Sequence, residues 1–225
     1  MSAGLDDALK RAFPRGGEPI RFIQVGGNDG IYKDPLYNHH VGGTFNFEWG
    51  EIFEPIPEYF DKLIENMRPF GYVTCHRLAV DDSDIPGKRK FSYVSPEDIE
   101  RADLPRSSMG IGSFSLSGEE RGETPYPEAK YAAIKDYIRS IEVDTIPIAQ
   151  VIRQYPTANL LITDCEGHDL PLVSAAIFDH GFRPKVLQFE HARPGEAALI
   201  SLLNGLRALG YAISGSGKDF VAQLQ

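Results

Sequence analysis

The sequence predicts an α/β protein built on an open, Rossmann-like, doubly wound and mostly parallel sheet, and three observations carry that expectation. Short apolar runs such as Phe22–Val25, Asn159–Thr163 and Lys185–Phe189 alternate with segments of helical period, the pattern of buried parallel strands joined by crossover helices. The first run ends in Gly26-Gly27, where the backbone turns sharply and no side chain blocks an approaching ligand. The chain finishes with Tyr211–Ser214 and Asp219–Leu224 around Gly215-Ser-Gly217, a hairpin that makes the last strand antiparallel.

Taken in order, residues 4–13 read as an amphipathic helix stopped by Pro14 and Gly16-Gly17, part of an N-terminal extension over 1–19. After Gly30, Asp34 caps a short helix with Pro35 in its first position and Gly42-Gly43 at its end. Its displacement by Ile31-Tyr32-Lys33 places Tyr37, His39 and His40 near the carboxyl edge of the sheet, where the two histidines are either acceptor contacts or a solvated helix end. A second strand ends at Glu54. Pro57–Arg68 carries Tyr59, Phe60, Leu63, Ile64 and Met67 at helical spacing and is the crossover helix, and Val73–Val80 is the third strand.

From about 81 to 143 the alternation breaks into an acceptor-side insert, with a strand at Phe91–Val94 and a helix over Glu128–Arg139 that presents Tyr131, Ile134 and Ile138 on one face. Between them, Arg106–Ser117 is rich in serine and glycine and reads as a loop that is either mobile or held by a ligand. Asp144 caps a helix that ends before Pro156. Asn159–Thr163 then delivers Asp164-Cys-Glu-Gly-His-Asp169 at its carboxyl end, and Asp169 caps a helix through Phe178. Lys185–Phe189 ends in Glu190-His191, and Pro194 opens a helix with Leu199, Leu202, Leu203 and Leu206 toward the core, closed by Gly210.

At 225 residues the chain suits a single α/β domain with an insertion. Its 23 Lys+Arg against 32 Asp+Glu give a net charge of -9, which opposes phosphate backbones and anionic lipid surfaces. Nucleic acid and membrane partners are therefore not expected. No segment approaches the roughly 20 apolar residues of a membrane span, and Met1–Lys10 lacks a signal-peptide core, so the cytoplasm is the expected location. Cys75 and Cys165 are the only cysteines, too few for a disulfide scaffold, and both are expected as thiols. An oligomer is compatible with the sequence.

In an open α/β sheet, ligands sit beyond the carboxyl ends of the strands, near the point where strand order reverses. Five strand ends here carry acids: Asn28-Asp29, Glu54, Asp81-Asp82, Asp164–Asp169 and Glu190-His191. Glu54, closing the strand beside the glycine turn, suits a ribose diol, because one carboxylate accepts from two hydroxyls; its alternative is to cap the following helix. The dinucleotide spacing fails, since Asn28 and Ile31 stand where glycines are needed. Asp169 is either a helix cap or a catalyst, His168 and His191 are either site residues or ordinary surface histidines, and Cys165 is expected to pack.

The segments FIQVGGNDG, IFEPIPEYFDKL with Asn66, Gly112-Ser113-Phe114, VDTIPIAQV, LLITDCEGHDL and PKVLQFEH resemble the FkbM family of class I methyltransferases over roughly residues 20–224. The resemblance implies an S-adenosylmethionine-dependent enzyme that methylates a hydroxyl on a sugar or small natural product. It also implies cofactor contacts from Gln24, Gly26, Asn28, Asp29 and Gly30, from Glu54 and Pro55, and from Ala79, Val80, Asp81 and Asp164. Many class I enzymes carry an acid where Gln24 stands, which points to Asp29 for the methionine end. His39, His40, Ser113, Phe114 and His168 are the candidate acceptor contacts.

Methyl transfer from a sulfonium is an in-line displacement, and an alcohol must lose its proton on the way. Asp164 or His191 is the expected base, with Glu166 and Glu190 orienting the site; a divalent metal that lowers the alcohol pKa is the other route. Two further readings stay open. A metal-dependent hydrolase would use Asp164, Glu166, His168, Glu190 and His191 as ligands but has no use for Glu54. A noncatalytic adenosine-binding module would keep Gly26 and Glu54 but needs no base.

Overall fold

The computed structural model describes residues 3–114, 132–191, 196–216 and 218–225. Helix α1 (Ala3–Ala12) precedes strand β1 (Ile20–Val25), helix α2 (Tyr37–Gly42), β2 (Phe47–Phe53), α3 (Pro57–Met67) and β3 (Val73–His76). After an inserted region come β8 (Leu160–Thr163), β9 (Val186–Glu190), β10 (Tyr211–Ser216) and β11 (Asp219–Leu224). These strands form a sheet in the order β10-β11-β9-β8-β1-β2-β3. The five strands from β9 to β3 are mutually parallel, and β11 runs antiparallel beside β9. Strand order reverses between β1 and β8, the point where an open parallel sheet leaves a crevice.

The continuous apolar runs follow from a sheet covered on both faces. In β8, Leu161 packs with Ile23, Val25 and Leu187 on one face, while Leu160 and Ile162 pack with Ile20, Phe22 and Val186 on the other. Fully burying a side chain such as Phe22 contributes about 1.5–3 kcal/mol. Phe22 pairs with Gly50 across β1 and β2, and a Cβ at Gly50 would stand 2.0 Å from its ring. The glycine is there to admit the phenylalanine.

The inserted region builds a second sheet: β4 (Ala79–Asp81), β7 (Ile138–Pro147), β5 (Gly87–Val94) and β6 (Gly112–Ser113), adjacent in that order. Helix α4 (Pro96–Arg101) follows β5, capped by Ser95. This sheet corrects three expectations. Val73–Val80 is not one strand: β3 stays at the edge of the main sheet, and after Arg77-Leu78 the chain pairs as β4 with β7. Among its described residues, the expected helix over Glu128–Arg139 is helical over 132–134 and in the 3₁₀ turn Lys135–Tyr137, and the chain is extended from Ile138 onward. Asp144 is a strand residue opposite Lys88, and the helix it was expected to cap, α5 (Ile148–Gln154), starts after Pro147. The ladder to β5 decides all of this, since Ile141, Val143, Thr145 and Ile146 suit a pleated surface and long-range pairing overrides local period. Residues 128–131, including Tyr131, together with Ser115–Ser117, Pro194 and Gly217, lie outside the described residues.

His39 and His40 are neither a solvated helix end nor at the carboxyl edge. Both are buried. His39 Nε2 lies 2.9 Å from Asp6 of α1, and the His40 ring packs on Phe22, Phe47 and Phe70 near the amino ends of β1 and β2. Burial pushes the His40 imidazole down to about 4, so it is neutral. Asp34 accepts from the amides of Leu36 and Tyr37 as expected of a cap, one turn before the helix proper. Among the described residues no helix is long and apolar enough to cross a membrane.

Candidate active site

A cleft opens at the reversal point between β1 and β8. Its floor is Val25, Gly26 and Asn28 on one side and Asp164, Cys165 and Glu166 on the other. Its apolar end is formed by Phe53, Ile56, Leu78, Ala79, Val80, Phe91 and Phe114, with Glu54 and Pro55 between. The 3₁₀ turn Arg106–Gly110 supplies Met109 and Gly110 as a roof. The enclosed part of the cleft is ≈ 80 Å³, below the roughly 300–1,000 Å³ of typical small-molecule sites, so a nucleoside would extend into its open mouth.

Gly26 has φ +87°, and a Cβ there would stand 2.1 Å from the Asp164 carbonyl oxygen. The glycine is therefore demanded first by the close approach of β8, and only through that by an open cleft. Asn28, at φ +48°, continues the turn: its amide donates to Glu54 Oε2 at 2.8 Å and its side-chain nitrogen donates to the Met109 carbonyl at 2.8 Å. The second oxygen of Glu54 accepts from the Ile56 amide at 2.9 Å. Among the described residues Glu54 bonds to no first-turn amide of α3; it ties Ile56, just before that helix, to the glycine turn, and each carboxylate oxygen that lines the cleft retains a further lone pair. Burial raises its carboxyl to about 7 in spite of the two amides.

Opposite, Asp164, Glu166 and Glu190 each place an oxygen so that all three lie within 4.8 Å of one another. Asp164 is exposed to solvent at the cleft mouth, with one carboxylate oxygen close to those of Glu166 and Glu190. Burial, followed by repulsion from Glu166 and Glu190, holds its carboxyl well above the ordinary carboxylate range. Glu166 sits at φ +47°, which turns it back toward Gly110, whose missing Cβ would be 2.6 Å from Glu166 Oε1. This donor set suits a hard divalent cation as well as a proton.

The remaining candidate residues divide. Asp29 is spent on the turn, accepting from Ile31 and Tyr32, and Gly30 is pressed against Leu63 and Met67. The Gln24 side chain donates to Asp34 Oδ2 at 2.7 Å. Asp81 is fully buried and accepts from Ser83, with Arg89 at 3.4 Å, so its carboxylate faces away from the lining while Ala79 and Val80 face it. Asp169 is the first residue of α6 (Asp169–Ser174) and not its cap; it accepts from the Cys165 amide and so fixes the loop that carries Asp164. Ser113 is buried in β6 opposite Ser92, and Phe114 lines the cleft with Arg89 stacked 4.1 Å from its ring. His168 packs edge-on to Phe114 and pairs with Asp82 at 3.1 Å. His191 lies beside the Phe220 ring, next to Glu190.

The FkbM methyltransferase domain matches residues 24–213. The chain belongs to the FkbM methyltransferase family. A crystal structure of an FkbM methyltransferase from Methylobacillus flagellatus KT superposes with a TM-score of 0.52 at 14% identity, over 91% of this chain and 43% of that one. This FkbM chain therefore spans less than half the length of that relative. The METTL16 methyltransferase domain follows at TM-score 0.45 and 10% identity, over 99% of this chain and 66% of the other. The ribosomal protein L11 methylase of Lactobacillus delbrueckii subsp. bulgaricus gives 0.40 and 9%, over 98% and 77%. No curated protein matches the sequence.

The family match takes in every residue that lines the cleft. Leu78, Phe91 and Met109 were not among the residues singled out from sequence. Leu78 and Phe91 come from the unforeseen second sheet, and no local motif marks a residue as lining. Met109 and Gly110 lie in the serine- and glycine-rich stretch, whose composition did flag a ligand-facing segment.

Proposed function

We propose that this FkbM chain transfers a methyl group from S-adenosylmethionine to a hydroxyl of a small acceptor. The observation that carries the reading is Glu54: a buried carboxylate held by two backbone amides, lining an apolar cleft directly across the sheet reversal from Asp164. Methyltransferase families of this fold generally use S-adenosylmethionine, and the residues present suit its nucleoside. Both Glu54 oxygens can accept from ribose hydroxyls, and Leu78, Val80, Phe91 and Phe114 offer an apolar slot for a base. When bound, the sulfonium supplies an electrophilic methyl carbon.

The chain's own residues do the rest. Asp164, with its carboxyl raised, is a stronger base than an ordinary aspartate and stands where an acceptor hydroxyl would release its proton. Glu166 and Glu190 keep that carboxylate basic by repulsion, and Met109 and Gly110 cover the cleft against water. A metal-assisted variant is favoured by one observation, the convergence of Asp164, Glu166 and Glu190 oxygens within 4.8 Å. The experiment is calorimetric titration with S-adenosylhomocysteine, followed by turnover with and without chelator. Binding is expected at micromolar concentration; its absence in folded protein overturns the reading. Turnover lost with chelator and restored by magnesium selects the metal route over the unaided base.

A further inference from the structure

We propose that the acceptor is a small anionic molecule, a hydroxyl compound bearing a carboxylate, phosphate or sulfate group, and that Lys33 and Arg106 bind that group at the cleft mouth; this rests on the methyl-transfer reading above. The Arg106 guanidinium lies 4.6 Å from the centre of the Tyr32 ring, and the Lys33 ammonium lies 5.4 Å from the same ring. Among the described residues neither cation pairs with a carboxylate, whereas Arg21, Lys88, Arg89 and Arg139 each do. Contact with one ring brings these two cations, distant in the chain, into the same neighbourhood.

Their placement ties them to the acceptor side. Tyr32 follows the glycine turn, its amide bonded to Asp29, and Arg106 opens the 3₁₀ turn whose Met109 carbonyl holds the Asn28 side chain. The two cations thus stand where the glycine-turn wall meets the roof. Asp219 pairs with Glu190 across β11 and β9, and, against the raising effect of burial, the Lys33 charge acts to lower the Asp219 carboxyl, which puts Lys33 on the side of the acidic cluster. Lys33 also holds φ +58°, a conformation sparsely populated outside glycine.

The chemistry fits an oxyanion. A guanidinium stacked on an aromatic face keeps its N–H edge free for bidentate bonds to a carboxylate or phosphate. A neutral acceptor needs no cation here. An anionic one does, because Asp164, Glu166, Glu190 and Asp219 would otherwise repel it. A polyanion is disfavoured by the net charge of -9.

The test is NMR titration of the protein with inorganic phosphate, in wild type and in the double variant Lys33→Gln, Arg106→Gln. Saturable shifts at residues 32–33 and 106 are expected with a dissociation constant of about 1 mM, at least tenfold weaker in the variant. Glucuronate and glucose 6-phosphate should compete, separating carboxylate from phosphate preference, while methyl glucoside should not. Absent saturation, equal shifts in the variant, or competition by methyl glucoside overturns the assignment. Tighter binding of an RNA oligonucleotide than of phosphate, retained in the variant, also overturns it. S-adenosylhomocysteine affinity, unchanged in the variant, is scored separately, so its absence in wild type indicts the cofactor reading and not this one.

Discussion

Replacing Glu54 with glutamine removes one charge and leaves the shape. Glu54 is 5% exposed, and burial, the largest influence on it, raises its carboxyl from 4.5 to about 7. Between those values the unfolded chain releases a proton that the folded protein keeps, so the folded state binds more protons and stability falls as pH rises. At about 1.4 kcal/mol per pKa unit, the wild type loses about 2.5 kcal/mol through this group between pH 5 and pH 8. The variant escapes that loss. Its amide nitrogen, however, faces either the Asn28 or the Ile56 amide, forfeiting one of the bonds at 2.8 and 2.9 Å, which costs about 1–3 kcal/mol at any pH. The two effects nearly cancel at pH 8 and do not at pH 5. Urea unfolding at both pH values should therefore show the stability of Glu54→Gln relative to wild type rising by about 2.5 kcal/mol from pH 5 to pH 8. Other titrating groups are common to both proteins and drop out of the difference. At pH 8, S-adenosylhomocysteine affinity should fall tenfold to hundredfold, because hydroxyl bonds to a carboxylate are worth about 1.5–3 kcal/mol. A stability difference independent of pH would refute the buried, titrating carboxyl; unchanged affinity would remove Glu54 from the ribose site.

Asp164→Asn should lower turnover about 10²–10⁴-fold while leaving S-adenosylhomocysteine affinity within a few-fold, measured once an acceptor is in hand; equal losses in both would make Asp164 a binding residue only. Wild-type turnover should rise with pH through the raised Asp164 value, since the base works ionised, and a profile that falls over that range argues against it. Gly26→Ala should unfold at markedly lower temperature, because its Cβ meets backbone at 2.1 Å with φ at +87°; a melting temperature within a degree or two of wild type would mean that the β1–β8 approach is softer than described. Hydrogen exchange at Ser108 and Ile111, whose amides bond within the 106–110 turn, should slow when S-adenosylhomocysteine binds, as the roof closes on a filled cleft. Unchanged exchange would make that turn a fixed wall.

Much was legible in the sequence where a local pattern has one structural meaning. The apolar runs at 22–25 and 159–163 are buried on both faces of a parallel sheet, as their strand length and β-branched content suggested. The acid after β2 and the Asp-Cys-Glu-Gly-His-Asp segment after β8 fall at the carboxyl edge because strand direction fixes which end a ligand meets. Conversely, Ile134 and Ile138 suggested one helical face, whereas Ile138 opens a strand, and His39-His40 suggested a surface that is not there. In both cases the deciding partner lies far away in the chain: β5 for residues 138–147, and Phe22, Phe47, Phe70 and Asp6 for the histidines.

The sequence by itself determined the strand–helix alternation, the glycine turn, the FkbM resemblance and the acids at the strand ends, because each rests on neighbours within a few residues. Only the tertiary structure decided which of those acids share a site. Asp29 and Asp81 turn their carboxylates into local hydrogen bonds, while Asp164, Glu166 and Glu190, from two adjacent strands, converge. It also decided that Met109 roofs the cleft and that Lys33 and Arg106 meet on one ring. Such juxtapositions join segments separated by roughly 25 to 80 residues, and side-chain direction at a strand end depends on what packs against it, which no local pattern encodes.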